Sequence, residues 1–117
     1  LNVKTPSIFN LASSLSGGNQ QKVVVAKLLA SQLKIIILDE PTKGVDIGAK
    51  TQMYEIISNL AHQGYAVIFV SSEMPEILSM SDRIMVMADG YVTAILDNEA
   101  TQEQILACCM SKEKKEA

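Results

Sequence analysis

Cysteine is nearly absent from this sequence, with Cys108 and Cys109 as the whole supply. Neighbours in the chain are awkwardly placed to bridge each other, and no other cysteine or metal-type spacing exists, so no disulfide framework is available. Two reduced thiols on or beside a helix are expected. Histidine occurs once, as His62. Long hydrophobic runs are missing too: stretches such as Ala66 to Val70 fall far short of the roughly 18 residues a membrane-crossing helix needs, and nothing resembles a signal peptide. A soluble, cytosolic chain is expected. Basic charge is not in excess. The formal net charge is -3 at pH 7, which leaves no electrostatic footprint for nucleic acid, and Lys112, Lys114 and Lys115 are interleaved with Glu113 and Glu116 as in a solvated tail. There are no repeats, low-complexity segments or internal linkers. What remains is an ordinary globular balance, 117 residues with 48% hydrophobic and 20% charged, enough for one domain at most with a sizeable core.

The pattern along the chain alternates strands and helices. After a polar opening from Leu1 to Ser14, Gln20 to Ser31 has helical composition, and Lys34 to Leu38 is a short β-branched run suited to a buried strand. Gly48 to His62 places Ala49, Met53, Ile56, Ile57 and Leu60 at helical spacing and predicts a core-facing helix, closed by Gly64. Ala66 to Val70 reads as a second buried strand. Glu73 to Met80 reads as a short helix with Pro75 in its first turn, where proline is tolerated. Arg83 to Ala88 and Tyr91 to Leu96 flank Asp89-Gly90, a dipeptide that favours positive φ in a two-residue hairpin. Thr101 with Gln104 three residues on predicts a capping box opening a last helix from Gln102 to Met110. Strand, helix, strand, helix is the order of an α/β fold with parallel strands.

Two short stretches carry chemistry. Asp39 and Glu40 fall where the first strand ends, and ligands of open α/β sheets bind beyond the carboxyl ends of strands. One carboxylate there can hold Mg²⁺ through water while its neighbour orients or deprotonates a nucleophilic water. Two solvated acids in a loop would look the same. Ser16-Gly17-Gly18 ahead of a helix offers a hydroxyl, unhindered amides and the positive end of a helix dipole, a set that suits a phosphate oxygen. From these three residues alone, a serine cap followed by a glycine turn is the simpler reading.

Together the two stretches resemble the ATP-binding cassette (ABC) ATPases, because several motifs occur in that family's order and spacing. "LSGGN" (Leu15 to Asn19) looks like the signature, with Asn19 where Gln is commoner; "IIILDEP" (Ile35 to Pro41) looks like Walker B with the catalytic glutamate; "KGVD" (Lys43 to Asp46) matches the D-loop. The wording of "SGGNQQK", "DEPTKGVD" and "SSEMPEIL" is most similar to the second cassette of bacterial sugar importers of the ribose, xylose and galactose type. The resemblance implies a partial P-loop NTPase (RecA-like) α/β core with parallel strands, a C-terminal β-hairpin and flanking helices, residues 1–117 forming the C-terminal portion of one nucleotide-binding domain. It implies ATP and Mg²⁺ as cofactors. Ser16, Gly17, Gly18 and Asn19 would face nucleotide held by a second cassette, Asp39 would support Mg²⁺ through water, Glu40 would polarise the attacking water, and Asp46 would lie at the dimer seam. The implied partners are that second cassette, membrane-spanning permease subunits and, indirectly, a periplasmic sugar-binding protein, with no nucleic acid. The implied place is the cytoplasmic face of the cell membrane.

The sequence departs from the family pattern at two points. The switch histidine is replaced by Ser72, which cannot carry imidazole's charge or match its reach. Ser72 is expected instead as N-cap of the helix that follows, and the site using Asp39 and Glu40 is expected to be slow or mainly regulatory. No G-x-x-x-x-G-K-[ST] occurs, so the phosphate-cradling loop is absent, and with it the strand the family places between Ala66 to Val70 and Arg83 to Ala88. The chain by itself is therefore expected to be inactive. Two alternatives remain: the C-terminal lobe of a chromosome-maintenance or DNA-repair ATPase, which should follow heptads that residues 1–14 lack, and a catalytically silent interaction module.

Overall fold

The computed structural model describes residues 1–110; the charged tail from Lys112 to Glu116 lies outside them. The described residues form two compact units, one over Leu1–Val70 and one beginning at Ser71.

In the first unit a short 3-10 turn at Ala12–Ser14 leads to helix α1 (Gly17–Ala30), strand β1 (Ile35–Asp39), helix α2 (Ile47–His62) and strand β2 (Ala66–Val70). β1 and β2 pair in parallel from Ile35 opposite Ala66 to Asp39 opposite Val70. Alternation along β1 buries Ile36 and Leu38 and exposes Ile35 and Ile37. Those inward residues form the core with Val25 of α1 and Met53, Ile57 and Leu60 of α2, the last three lying on one stripe at helical spacing. α2 ends at Gln63 and Gly64, and the φ of +93° at Gly64 is one only glycine adopts at little cost. α1 starts three residues earlier than its composition suggests. The two glycines are not a turn before the helix but its first turn, where the Ser16 carbonyl already accepts from the amide of Gln20 at 2.9 Å. β1 is shifted by one residue, which makes Asp39 its last member.

The second unit contains helix α3 (Met74–Met80), strands β3 (Arg83–Ala88) and β4 (Tyr91–Asp97), and helix α4 (Gln102–Met110). β3 and β4 form an antiparallel hairpin whose turn residues, Asp89 and Gly90, both take positive φ, +51° and +82°. A bulge at Val86/Met87 leaves Thr93 as the extra residue, and its hydroxyl donates to the Val86 carbonyl at 3.2 Å. Ile84, Val86 and Ile105 make the core here. α4 opens with the reciprocal pair expected of a capping box: the Gln104 amide donates to Thr101 Oγ1 at 3.2 Å, and the Thr101 amide donates to Gln104 Oε1 at 2.8 Å. Cys108 and Cys109 sit on α4 as free thiols. Among the described residues β2 pairs only with β1 and β3 only with β4. No helix among them is long and apolar enough to cross a membrane.

Candidate functional site

The acidic pair is set by the end of the parallel ladder. Asp39 is the exposed last residue of β1. Glu40 follows it with φ of +48°, in the left-handed region that a residue with a Cβ seldom enters. The backbone is held there on both sides: the Glu40 amide donates to the Val70 carbonyl at 2.8 Å, extending the ladder one step, and the Glu40 carbonyl accepts from the Lys43 amide at 3.1 Å. The chain therefore reverses at the carboxylate instead of running past it. Thr42, 1% exposed, anchors the turn that follows, and Gly44 completes it at φ of +74°. A left-handed, over-determined acid at a strand end is the kind of outlier that points to function.

The glycine-rich segment is tied differently from a plain cap. Ser16 occupies the N-cap position of α1, yet its side chain makes no capping bond. Its Oγ accepts from Asn19 Nδ2 at 3.0 Å, and Asn19 Oδ1 in turn accepts from the Lys4 amide at 3.0 Å. Asn19 thus fastens the opening segment to the start of α1, a role its sequence position does not reveal. Ser16 and Gly17 are exposed.

α2 begins beside this segment. Asp46 is the N-cap of α2, its Oδ1 accepting from the Ala49 amide at 2.9 Å. A Cβ placed on Gly17 would lie 4.0 Å from Val45 Cγ1, and one placed on Gly18 would lie 2.7 Å from Ala49 Cβ. The structure therefore brings Ser16 to Asn19 and Asp46 together at two adjoining helix starts. A cavity of about 430 Å³ runs from there to the strand end, with Gly17, Gln21, Asp39, Glu40, Lys43 and Met53 among its lining. Gln21 Oε1 is a buried acceptor without a hydrogen-bond partner among the described residues. The buried Gln21 oxygen is sealed from the cavity, so its charged lining is the two carboxylates with the Lys43 ammonium beside them, a set that fits water or a hydrated cation at the acidic end. No group of three or more His, Cys, Asp or Glu among the described residues could hold a metal ion by itself.

Ser72 departs from expectation. α3 starts at Met74 with Glu73 at the N-cap position, so Ser72 does not cap it. The serine before it bonds the helix start instead: Ser71 Oγ accepts from the Glu73 amide at 3.0 Å and donates to Glu76 Oε2 at 2.7 Å. Glu76 is 3% exposed, so the use of Ser71 at the helix start follows from the need to give a buried carboxylate a donor. Sequence reasoning missed Ser71 and Glu76; the spacing Ser-x-x-x-x-Glu spanning a helix start was the available signal. His62 is exposed at the end of α2, with Nδ1 2.7 Å from the Ser58 carbonyl.

A parallel strand ending in an acidic pair, beside a glycine-led helix, puts carboxylates and exposed amides at the carboxyl end of an α/β sheet, where ligands of such sheets bind. Comparison with known proteins adds a family likeness. The ABC transporter family profile matches residues 2–43. A Pseudomonas fluorescens protein provisionally named as a ribose/galactose/methyl galactoside import ATP-binding protein is 55% identical over 107 residues, 91% of this chain and 21% of that protein. The xylose import ATP-binding protein XylG of Moorella thermoacetica is 51% identical over 109 residues, 92% of this chain and 22% of that protein. The solved structure of an ATP-binding cassette of an ABC transporter superposes with a TM-score of 0.72 at 23% identity, covering 86% of this chain and 42% of the other, which supports the fold. The chain is thus similar over residues 2–43 to the ABC transporter family and over nine-tenths of its length to ATP-binding proteins named for sugar import. It spans about a fifth of the length of the curated relatives it matches.

Proposed function

We propose that this chain is the C-terminal portion of one nucleotide-binding domain, the second cassette of a sugar-import ATPase, and that it supplies the water-activating carboxylate of one ATP site and the signature of another. The observation that carries the reading is Glu40: an acid at the end of a parallel strand, held in a left-handed conformation by bonds to Val70 and Lys43. In this role the Glu40 carboxylate accepts a hydrogen bond from the attacking water and aims it in line with the γ-phosphate, so that positioning and charge stabilisation do most of the work. Asp39, exposed one residue earlier, supports Mg²⁺ through water; when bound, that ion neutralises charge on the phosphates. Ser16, Gly17, Gly18 and Asn19 face the γ-phosphate of ATP held by a second cassette, offering a hydroxyl and the amides of an exposed first turn. Asp46, beside them, stands at the seam between cassettes. Ser72 supplies no imidazole, and the site containing Glu40 is correspondingly the slower or regulatory one.

The partners are the second cassette and membrane permease subunits, with a periplasmic sugar-binding protein acting through the latter, at the cytoplasmic face of the membrane. The names of the relatives point to pentose and hexose import and differ in the sugar they print. The test is Glu40→Gln in the two-cassette ATPase that contains this chain. Single-turnover hydrolysis at this cassette's own site should fall by about 10² to 10⁴, the range for losing one general base, with ATP still bound. An unchanged single-turnover rate removes Glu40 from the role.

A further inference from the structure

We infer that Ala49, a residue with no polar side chain to offer any ligand, positions the signature segment: α1 and α2 start side by side only because Gly18 and Ala49 are both small. The inference rests on the reading of Ser16 to Asn19 as acting on a second cassette's nucleotide. A Cβ on Gly18 would meet Ala49 Cβ at 2.7 Å, closer than non-bonded carbons approach, while the next nearest atom, Ala49 Cα, would lie at an ordinary 3.9 Å. The obstruction is therefore one methyl group. Gly17 differs, since a Cβ there would find only Val45 Cγ1 at 4.0 Å. The two glycines do different work: Gly17 leaves an open, exposed approach, and Gly18 seats α1 on α2. Ala49 also reports directly to the D-loop, because its amide is the one Asp46 Oδ1 caps at 2.9 Å. One turn further along both helices a second tie repeats the alignment, Lys22 Nζ donating to Gln52 Oε1 and, at 3.0 Å, to the Asn2 carbonyl. Lys22 is buried, so its ammonium depends on those acceptors. Signature and D-loop thus form one body, and a displacement at Asp46 is carried to Ser16 through the Gly18 and Ala49 contact.

The experiment is a double-mutant cycle in the two-cassette ATPase containing this chain. In the wild-type background Gly18→Ala should lower turnover by about tenfold or more, the cost of a misplaced positioning element. In the Ala49→Gly background the same substitution should cost less than about threefold, because the obstructing methyl is gone. Nucleotide trapping read site by site should show the loss at the site completed by Ser16. Ala49→Ser, which leaves the signature's own residues intact, is the milder probe, expected to lower trapping about threefold at that site alone. Absence of rescue, or equal loss at both sites, overturns the inference. Ser16→Arg separates the two levels: if it spares the partner's site, the assignment in trans has failed, whereas a sensitive partner site without rescue is the failure of the contact itself.

Discussion

In its proposed role Glu40 concentrates the conflict between folding and function. Its left-handed backbone disfavours any residue with a Cβ by roughly 1–2 kcal/mol, and a β-branched side chain fares worst. Compared with Glu40→Ala, which removes the same side-chain interactions, Glu40→Gly should be more stable in urea unfolding by up to about 1 kcal/mol, since relief of strain outweighs glycine's extra chain entropy. Glu40→Val should be less stable than Glu40→Gly by about 1–2 kcal/mol. Equal stability of the two variants would show that the +48° turn is not strained. The strand end at this residue was legible in "IIILDEP", because an apolar run closing on two acids marks where a buried strand stops. Its φ was not, since that depends on the Val70 carbonyl lying opposite, thirty positions along the chain. The same limit separates Ser16 and Asn19 from their partners: a serine before a helix reads as a cap, yet Asn19 takes its hydroxyl because the Lys4 amide, brought close by the opening segment, needs an acceptor. Ser71 and Ser72 are indistinguishable in sequence, and only the burial of Glu76 decides between them.

Elements were most legible where the signal is local. The hairpin turn at Asp89-Gly90, the Thr101 and Gln104 capping box and the apolar stripe of α2 depend on residues within a turn or two, and each is found where its pattern places it. α1 was misjudged at its start because glycines are poor helix formers, and nothing local shows that α2 lies close enough to require them. Asp46 joins both kinds of information. As N-cap of α2 it should be worth about 1 kcal/mol, so Asp46→Ala should lower the unfolding free energy by about 0.5–2 kcal/mol, and Asp46→Asn, an equally good cap, should recover most of that loss. If Asn restores stability while turnover of the two-cassette ATPase stays low, the carboxylate has a duty at the seam beyond capping. If Asn restores both, capping is its whole contribution.

At the scale of the molecule the two sheets are, among the described residues, each two strands wide. Parallel strands are ordinarily covered on both faces, but here one face of the β1 and β2 pair presents Ile35, Ile37, Ile68 and Val70, exposed by 49% to 66%. The β3 and β4 hairpin likewise exposes Met85, Met87 and Ile95. Among the described residues both sheets also end in unpaired edges, which template association with other strands. The amides that would cradle a triphosphate have no counterpart in the 117 residues, since the phosphate-loop motif does not occur in them. These two properties have opposite readouts in one experiment on the purified chain. In light scattering and dye binding it should self-associate and take up an apolar fluorophore, self-association increasing with added sulfate, a salt that strengthens burial of apolar surface. In calorimetry with ATP and Mg²⁺ it should give no affinity in the micromolar range, because the donors of one exposed helix turn and a carboxylate pair that repels phosphate cannot replace a phosphate loop. Micromolar ATP binding by the 117-residue chain would mean that the cavity running from Gly17 to Glu40 is itself a nucleotide site, and the assignment of the signature to a second cassette's ATP would then have to be abandoned.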